Sequence, residues 1–215
     1  MGIEYEDNCN IPKNKGIGID LGIKDLGVCS DGKVYKNINK SKRVRRLEKK
    51  RRGLQRQISK KYELNKEGRS YCKTSNIIKS EKKLLKLNHR LTNIRHNYLH
   101  QITTEIINRK PMFIVLEDLN VSGMMKNKHL SKAIQQQCFY EFYRQIEYKS
   151  SWNNIKFIEA DKWFPSSKTC SECGCIKKQL KLSDRVYVCE ECGCIIDRDL
   201  NASINLMKYG IKSIA

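Results

Sequence analysis

The pattern of apolar and polar positions predicts a sheet that begins near the start of the chain. Residues 16–22 form a short apolar run that ends at a glycine turn, which is typical of a buried strand. A second apolar stretch covers residues 26–29, and a Ser-Asp-Gly turn at 30–32 leads to a return strand at 33–35. We therefore expect an antiparallel meander of three strands.

From residue 41 the apolar positions recur every three or four residues, as they do on one face of a helix. This spacing predicts one helical arm over residues 44–58 and another over 84–106. A polar loop at 65–76 separates the two arms. The economical arrangement is an antiparallel helical hairpin with a narrow apolar seam and basic outer faces.

The remainder of the chain alternates between strand and helix patterns. A continuous apolar run at 112–116 predicts a buried parallel strand that ends at Glu117. An amphipathic helix is expected over 131–149, a further strand over 156–160 and a closing helix over 197–209. This order of elements predicts an α/β fold.

Two Cys-x-x-Cys-Gly motifs lie near the end of the chain, and fifteen residues separate their cysteine pairs. This spacing predicts a tetrahedral zinc site with four thiolate ligands; the alternative is a set of unrelated reduced cysteines. The predicted ligands are Cys170, Cys173, Cys189 and Cys192. Cys175 and Cys194 follow the two motifs and leave the ligand register open. A closed four-cysteine site stabilises a fold and leaves no open position for chemistry.

The chain is strongly basic, with 43 lysines and arginines against 23 acidic residues and a net charge of +20. Residues 41–110 alone hold 22 basic and five acidic side chains. Because so few acids cannot balance this charge, we predict contact with nucleic-acid phosphates rather than a solvated helical face. The densest cluster comprises Arg43, Arg45, Arg46, Lys49, Lys50, Arg51 and Arg52. Such contacts are independent of base sequence and weaken with salt.

Ten cysteines, six of them between residues 170 and 194, indicate a reducing compartment. No apolar run approaches the roughly 20 residues that cross a bilayer. The first residues also lack the charged-then-apolar pattern of a secretory leader. We therefore expect a cytoplasmic protein without a membrane partner.

Three carboxylates occupy suggestive places at the ends of predicted elements. Asp20 ends the first strand, Glu117 ends the buried strand and Asp199 begins the last helix. Each alone has an ordinary role, in a turn, at a solvated strand end or as a helix cap. Together they could converge at the open ends of one sheet and hold Mg²⁺ or Mn²⁺. Two such ions support phosphodiester hydrolysis.

Four ordered sequence blocks resemble a known family. They are GIDLG at 18–22, LEDLN at 116–120, WFPSSKTCSECG at 163–174 and CGCIIDRDLNA at 192–202. These blocks resemble those of TnpB, the OrfB-type protein of bacterial insertion sequences, from about residue 15 to about residue 209. The resemblance implies an RNA-guided DNA endonuclease, related to type V CRISPR nucleases, with a RuvC-like catalytic domain.

The resemblance also implies roles for particular residues. The catalytic triad, which would bind two Mg²⁺ or Mn²⁺ ions, falls on Asp20, Glu117 and Asp199. Asp197 is expected to cap the last helix or to support the triad. The structural zinc ligands of the family fall on the same four cysteines that the spacing predicts.

The fold class implied is α/β, an RNase H-like (RuvC) mixed sheet with an inserted basic helical hairpin and a four-cysteine zinc ribbon. The nuclease domain is expected in three pieces, at 1–40, 111–168 and 195–215. The hairpin insertion occupies 41–110 and the zinc ribbon 169–194.

Full-length TnpB proteins carry a region before the first catalytic strand that helps to bind guide RNA, whereas this chain begins close to that strand. We expect a transposon-associated, metal-dependent DNA endonuclease that uses a two-metal mechanism, with DNA as partner and guide RNA in full-length relatives. The alternative is a truncated, non-catalytic, zinc-containing nucleic-acid-binding remnant. A zinc-ribbon transcription or ribosomal factor ranks last, because it leaves the acidic blocks unexplained.

Overall fold

The computed structural model describes residues 16–181 and 184–214. The first three strands are β1 (Gly16–Leu21), β2 (Asp25–Cys29) and β3 (Val34–Lys36). Each pairs with the next in antiparallel fashion. Gly32 takes a φ of +83° in the turn between β2 and β3, a conformation that favours glycine. The predicted three-stranded meander is confirmed.

Residues 37–100 form one compact unit, and the described parts of 1–36 and 101–215 form the other. The elements of the first unit are a 3-10 turn (Ile38–Lys40), α1 (Lys42–Leu64), β4 (Lys66–Glu67), β5 (Ser70–Tyr71) and α2 (Ser75–Asn108). Helix α2 continues past residue 100 into the second unit. The Ser41 side chain caps α1 by accepting the Val44 N–H.

Polar contacts join α1 and α2 in antiparallel register. Lys61 Nζ lies 2.9 Å from Ser80 Oγ near the connecting loop. Arg95 Nη2 lies 2.8 Å from Glu48 Oε1 further from the loop. Glu48 is buried and also pairs with Arg51, so losing Arg95 would remove one of the two arginines that compensate its charge inside the hairpin. The predicted antiparallel helical hairpin is confirmed.

The sheet of the second unit continues with β6 (Phe113–Glu117) and β7 (Lys156–Ala160). Strand β6 runs parallel to β1 and β7 runs parallel to β6, so the strand order is β3-β2-β1-β6-β7. The apolar residues of β6 are all buried, as a parallel strand covered on both faces requires. The result is a mixed sheet of five strands.

The segment between β6 and β7 contains α3 (Val121–Met125), α4 (Ser131–Gln137) and α5 (Phe139–Trp152). The single helix expected over 131–149 is therefore wrong, because Cys138 takes a left-handed conformation and divides it. Gln137 is buried, and its Nε2 donates to the backbone oxygens of Gly22 and Ile23. This tertiary contact overrides the helical periodicity.

The cysteine module contains β8 (Val186–Val188) and β9 (Ile195–Asp197), which pair antiparallel. Strand β9 leads directly into α6 (Arg198–Ile214), which lies against β1 and β6. The core between the helix and the sheet is apolar. It contains Phe113, Val115, Ala160, Leu206 and Met207. Within the described residues, every helix is too short or too polar to cross a bilayer.

Candidate functional site

Two of the predicted acids lie side by side at the carboxyl ends of parallel strands. Ile19 of β1 pairs with Leu116 of β6, so the following residues, Asp20 and Glu117, occupy adjacent positions at one edge. In open α/β sheets, this edge is where ligands bind.

Helix α6 brings the third acid to the same place because β1 carries a glycine where the helix crosses it. A Cβ at Gly18 would lie 2.1 Å from the Ser203 backbone oxygen, so no other residue allows this approach. Asp20 lies roughly 7 Å further along β1 on the same face. Asp199 precedes Ser203 by four residues, or about 6 Å of helix. Gly210, later in the helix, lies against Phe113 at the start of β6, so α6 runs opposite to the strands. Asp199 at the start of the helix therefore lies toward the same sheet edge as Asp20.

The electrostatics show that the three acids interact. Burial raises the pKa of Asp20 well above its ordinary value, and the negative charges of Asp199 and Glu117 raise it further. Arg198 acts in the opposite direction, whereas Asp197 adds to the increase. The structure therefore brings Asp20, Glu117 and Asp199 into one local field that disfavours ionisation of Asp20.

Glu117 is held by a residue that the sequence interpretation missed. Burial raises the pKa of Glu117, whereas a hydrogen bond from the Ser166 side chain lowers it. Asn205 of α6 in turn donates to the Ser166 backbone oxygen at 2.8 Å. Asn201 donates to the Thr169 oxygen at 2.7 Å. Ser166 and Asn201 lie within the sequence blocks 163–174 and 192–202. Membership of these blocks was the only indication in the sequence that the two residues belong to the site.

Asp197 caps α6, which is one of the two roles expected for it; the other was to support the triad. Its Oδ1 accepts the backbone N–H groups of Asp199 at 3.0 Å and Leu200 at 3.1 Å. Arg198 contacts Asp199 Oδ1 at 3.2 Å through Nη2. The cap fixes the first turn of α6 and therefore the point at which Asp199 leaves the helix.

The four predicted cysteine ligands come together in the second unit. Their Sγ atoms all lie within 4.8 Å of one another, with separations of 3.6 Å for Cys170–Cys192 and 3.5 Å for Cys173–Cys189. A tetrahedral ion with bonds of about 2.3 Å sets sulfur–sulfur distances of about 3.8 Å. Backbone N–H groups, first that of Cys192, lower the pKa of Cys189 to about 7, whereas burial raises the pKa of Cys170. The donor set therefore fits a tetrahedral metal ion.

Backbone hydrogen bonds give the two cysteine motifs the same local geometry. The Cys170 N–H donates to the Cys175 oxygen at 2.8 Å, and the Gly174 N–H donates to the Cys170 oxygen at 3.0 Å. The second motif repeats both bonds with Cys189, Cys194 and Gly193. Both glycines have positive φ, 78° and 73°, which permits the tight turn. Cys175 and Cys194 thus contribute backbone oxygens, and the four clustered sulfurs are those of the Cys-x-x-Cys pairs.

A cavity of about 450 Å³ opens beside Glu117. Its lining also includes Asp118, Tyr140, Glu159 and Lys162. This volume lies within the usual range for small-molecule sites, and the lining combines aromatic, acidic and basic groups.

The basic cluster of the hairpin lies entirely on α1. Six of its seven side chains are exposed. Arg51 is the exception, because its Nη2 lies 2.9 Å from Glu48 Oε2 and it is partly buried. Arg51 therefore contributes to the hairpin's internal ion pairs, whereas the six others face solvent.

The described residues form an α/β protein with a mixed sheet, three interacting acids at one sheet edge and a cluster of four cysteines. The OrfB_IS605 family, described as "Probable transposase", matches residues 3–128, which is more than half of the chain. The chain therefore belongs to the OrfB_IS605 transposase family. The Cas12f1-like TNB domain matches residues 139–206. These matches confirm the TnpB resemblance.

Curated relatives extend beyond this chain. It is 33% identical to a Streptomyces pristinaespiralis protein named "Putative RNA-guided DNA endonuclease", over 93% of this chain and 46% of the relative. It is 30% identical to "Putative RNA-guided DNA endonuclease InsQ" of Escherichia coli, over 98% of this chain and 53% of the relative. The chain spans about half the length of these relatives.

A solved structure supports the fold. A Cas12f1 protein in complex with sgRNA and target DNA superposes with a TM-score of 0.56 at 20% sequence identity. The match covers 93% of this chain and 51% of that protein. At this identity the likeness establishes the shared fold.

Proposed function

We propose that this chain carries the catalytic part of a transposon-associated DNA endonuclease with a RuvC-type, RNase H-like domain. The observation that carries the proposal is the interaction of Asp20, Glu117 and Asp199 at one sheet edge, where burial and then the other two acids raise the pKa of Asp20. The family membership and the names of the relatives support a DNA-cleaving activity.

The acidic cluster fits divalent cations. Carboxylates that repel one another in a partly buried site are stabilised by a cation, and hard oxygen ligands suit Mg²⁺ or Mn²⁺. Two such ions, when bound, supply an activated water nucleophile and stabilise the leaving oxygen. Asp20, Glu117 and Asp199 would hold them. Ser166 restrains the Glu117 carboxylate, and Asp197 fixes the start of the helix that presents Asp199.

The cysteine site is best suited to structural Zn²⁺. Its four thiolates leave no open coordination position, so the ion stabilises the ribbon and takes no part in hydrolysis. Strand β9 of the ribbon ends at Asp197, immediately before α6 begins. Zinc binding would therefore order the segment that leads into Asp199.

We propose DNA and guide RNA as the partners of this activity. The relatives are named as RNA-guided DNA endonucleases, and the Cas12f1 neighbour was solved with sgRNA and target DNA. The six exposed basic residues of α1 would follow the phosphate backbone without reading bases.

The test is cleavage of single-stranded DNA by the purified chain in Mg²⁺ or Mn²⁺. We expect products with a 3′ hydroxyl and a 5′ phosphate from the wild type, and none from Asp20→Ala. Glu147→Ala, which removes an exposed carboxylate from α5, is the matched control and should cut normally.

Equal cleavage by the wild type and Asp20→Ala would remove Asp20 from the catalytic site. If neither protein cuts although both are folded and zinc-loaded, the same test is repeated with a guide RNA and the amino-terminal part of a full-length relative. Binding without cleavage under those conditions would favour the non-catalytic nucleic-acid-binding alternative.

A further inference from the structure

Trp163 is an exposed tryptophan with no role in the site described above. Its side chain is 82% exposed, although an indole presents a large apolar surface that water solvates poorly. It lies in the segment between β7 and the first cysteine motif. A single exposed aromatic residue is common on protein surfaces, so the groups around Trp163 decide whether it can contact a ligand.

The backbone around Trp163 is anchored on both sides. The Trp163 N–H donates to Asp161 Oδ1 at 2.7 Å, and the Phe164 N–H donates to the Asp161 backbone oxygen at 2.9 Å. The Phe164 ring packs on Tyr209 of α6 with a centroid distance of 4.9 Å. The chain therefore holds the Trp163 backbone in place while its side chain faces solvent.

These anchors also place Trp163 close to the acidic site. Ala160, the last residue of β7, pairs with Glu117, and Trp163 follows three residues later. Three residues span at most about 11 Å of extended chain. Ser166, three residues further on, returns to bond the Glu117 side chain. Trp163 thus lies in a short loop whose two ends, Ala160 and Ser166, both contact Glu117.

The groups beside Trp163 match the chemistry of a nucleotide. Lys162 Nζ lies over the indole ring, 5.3 Å from its centroid, and also lines the cavity that contains Glu117. Tyr140, 75% exposed, lines the same cavity. An aromatic face suits a base and a lysine suits a phosphate, whereas the acids suit metal ions at the bond to be cut.

We propose that Trp163 is a positioning residue that stacks on an unpaired base of the DNA strand being cut. Lys162 contacts the neighbouring phosphate, and the two together hold the strand beside Asp20, Glu117 and Asp199. Stacking on a base face tolerates any base, so this contact positions the strand and does not select its sequence. The inference rests on the proposed nuclease function, and its test is separable from catalysis.

The chain offers an internal control because it contains two tryptophans of similar exposure. Trp152 is 78% exposed at the end of α5, where it contacts Tyr148. Trp152→Phe leaves Trp163 as the sole tryptophan, and Trp163→Phe leaves Trp152. Each variant is titrated with oligothymidylate in buffer without added Mg²⁺, and tryptophan fluorescence and oligonucleotide anisotropy are recorded together.

We expect oligothymidylate to quench the fluorescence of Trp152→Phe and to leave that of Trp163→Phe unchanged. Trp163→Ala should weaken binding by about 5- to 100-fold, with partial recovery in Trp163→Phe, because a smaller ring still stacks. Unchanged melting temperatures in both variants would exclude a merely structural effect. Unchanged Trp163 fluorescence while anisotropy reports binding would overturn the proposal, and so would quenching by oligouridylate alone.

Cleavage assays separate this inference from the proposed function. Quenching of Trp163 would leave the base contact standing even if Asp20-dependent cleavage were absent both from the chain alone and from the assay with guide RNA and the amino-terminal part of a relative, a result that would contradict the nuclease function. Asp20-dependent cleavage with no change in Trp163→Ala would overturn the role of Trp163 and leave the nuclease standing. If both are correct, Trp163→Ala raises KM more than it lowers kcat, because the residue binds the strand without touching the reacting atoms.

Discussion

At the scale of single residues, the site depends on side chains whose properties are changed by their neighbours. Asp20 is an ordinary carboxylate in the unfolded chain, but in the fold burial and two adjacent acids raise its pKa. Glu117 experiences the same burial, yet Ser166 supplies a hydrogen bond to its charged form. The two acids therefore begin with different proton affinities although they occupy neighbouring strand ends.

This difference predicts a pH dependence of stability in protein without added Mg²⁺. The pKa of Asp20 is higher in the folded protein than in the unfolded chain, so binding a proton at Asp20 stabilises the fold. This contribution to the free energy of unfolding is fully present below the ordinary carboxyl pKa and is lost as the pH rises through the raised pKa. We expect Asp20→Asn to melt at a higher temperature than the wild type at neutral pH, by about 2–4 °C for each kcal/mol recovered. Thermal unfolding across a pH series measures this.

Glu147→Gln, on the exposed face of α5, is the control and should retain the wild-type profile. If the difference in melting temperature between Asp20→Asn and the wild type were the same at every pH, the raised pKa of Asp20 would be contradicted. Added Mg²⁺ should narrow the difference between the two proteins, because a cation stabilises the ionised carboxylates.

At the scale of secondary-structure elements, α6 and the ribbon that precedes it determine where the third acid lies. The helix crosses β1 at Gly18 and β6 at Gly210, and a Cβ at either position would overlap its neighbours. Asn201 and Asn205 then tie the helix to the segment before the first cysteine motif. One helix therefore connects the acidic site to the cysteine site.

Gly18→Ala tests the close approach of α6. The new methyl group would lie 2.1 Å from a backbone oxygen that cannot rotate away, so the helix must shift. We expect a loss of about 1–3 kcal/mol in the free energy of unfolding, with weaker Mg²⁺ binding because Asp199 moves from Asp20. Chemical denaturation and metal titration measure the two effects.

Gly53→Ala is the matched control for this substitution. Gly53 lies within α1 and a Cβ there meets no atom within 4 Å. Alanine has the higher helix propensity, so this change should stabilise the protein by about 1 kcal/mol or less. A destabilisation equal to that of Gly18→Ala would contradict the proposed clash.

The ribbon provides a second test at the same scale. Cys170→Ser should reduce bound zinc from about one ion per chain to near zero and lower the melting temperature, because metal binding contributes to folding. Cys175→Ser is the control, since its sulfur is not one of the four clustered sulfurs and its backbone oxygen would still accept the Cys170 N–H. Metal analysis and thermal unfolding of the two variants measure both effects. Zinc loss from Cys175→Ser instead would show that the ligand register is wrong.

At the scale of the whole molecule, the chain combines a locally acidic site with a strongly basic helical unit. The net charge of +20 attracts a polyanion over long range, whereas the acids interact only within their site. Binding and catalysis would therefore depend on different parts of the chain and respond differently to salt.

Substituting three exposed basic residues of α1 tests whether this helix binds nucleic acid. The triple substitution Arg45→Gln, Arg46→Gln and Lys49→Gln should weaken binding to single-stranded DNA. It should also reduce the slope of log affinity against log salt by about 2, since each lost phosphate contact contributes roughly 0.7. Anisotropy titrations between about 50 and 200 mM salt measure both effects.

An equal change of charge on α2 serves as the comparison. Lys82, Lys83 and Lys86 are also exposed, and their replacement by glutamine should alter the affinity less. Equal losses from the two triple variants would show that the contact is diffuse, and that the cluster on α1 has no special role.

The sequence alone determined the features that depend on neighbouring residues. The three-stranded meander, the helical hairpin and the cysteine spacing follow from periodicity, glycine turns and local motifs, and the structure contains each of them. The basic excess of residues 41–110 is likewise a property of composition. Such signals survive because the backbone geometry that they specify is local.

Only the tertiary structure decided which distant groups meet. Gln137 bonds to backbone beyond β1 and interrupts a helix whose periodicity continues, and Ser166 reaches Glu117 across the chain. The exposure of Trp163 likewise follows from how its neighbours pack. A single sequence carries no local signal for such contacts, because they arise from the packing of elements that lie far apart along the chain.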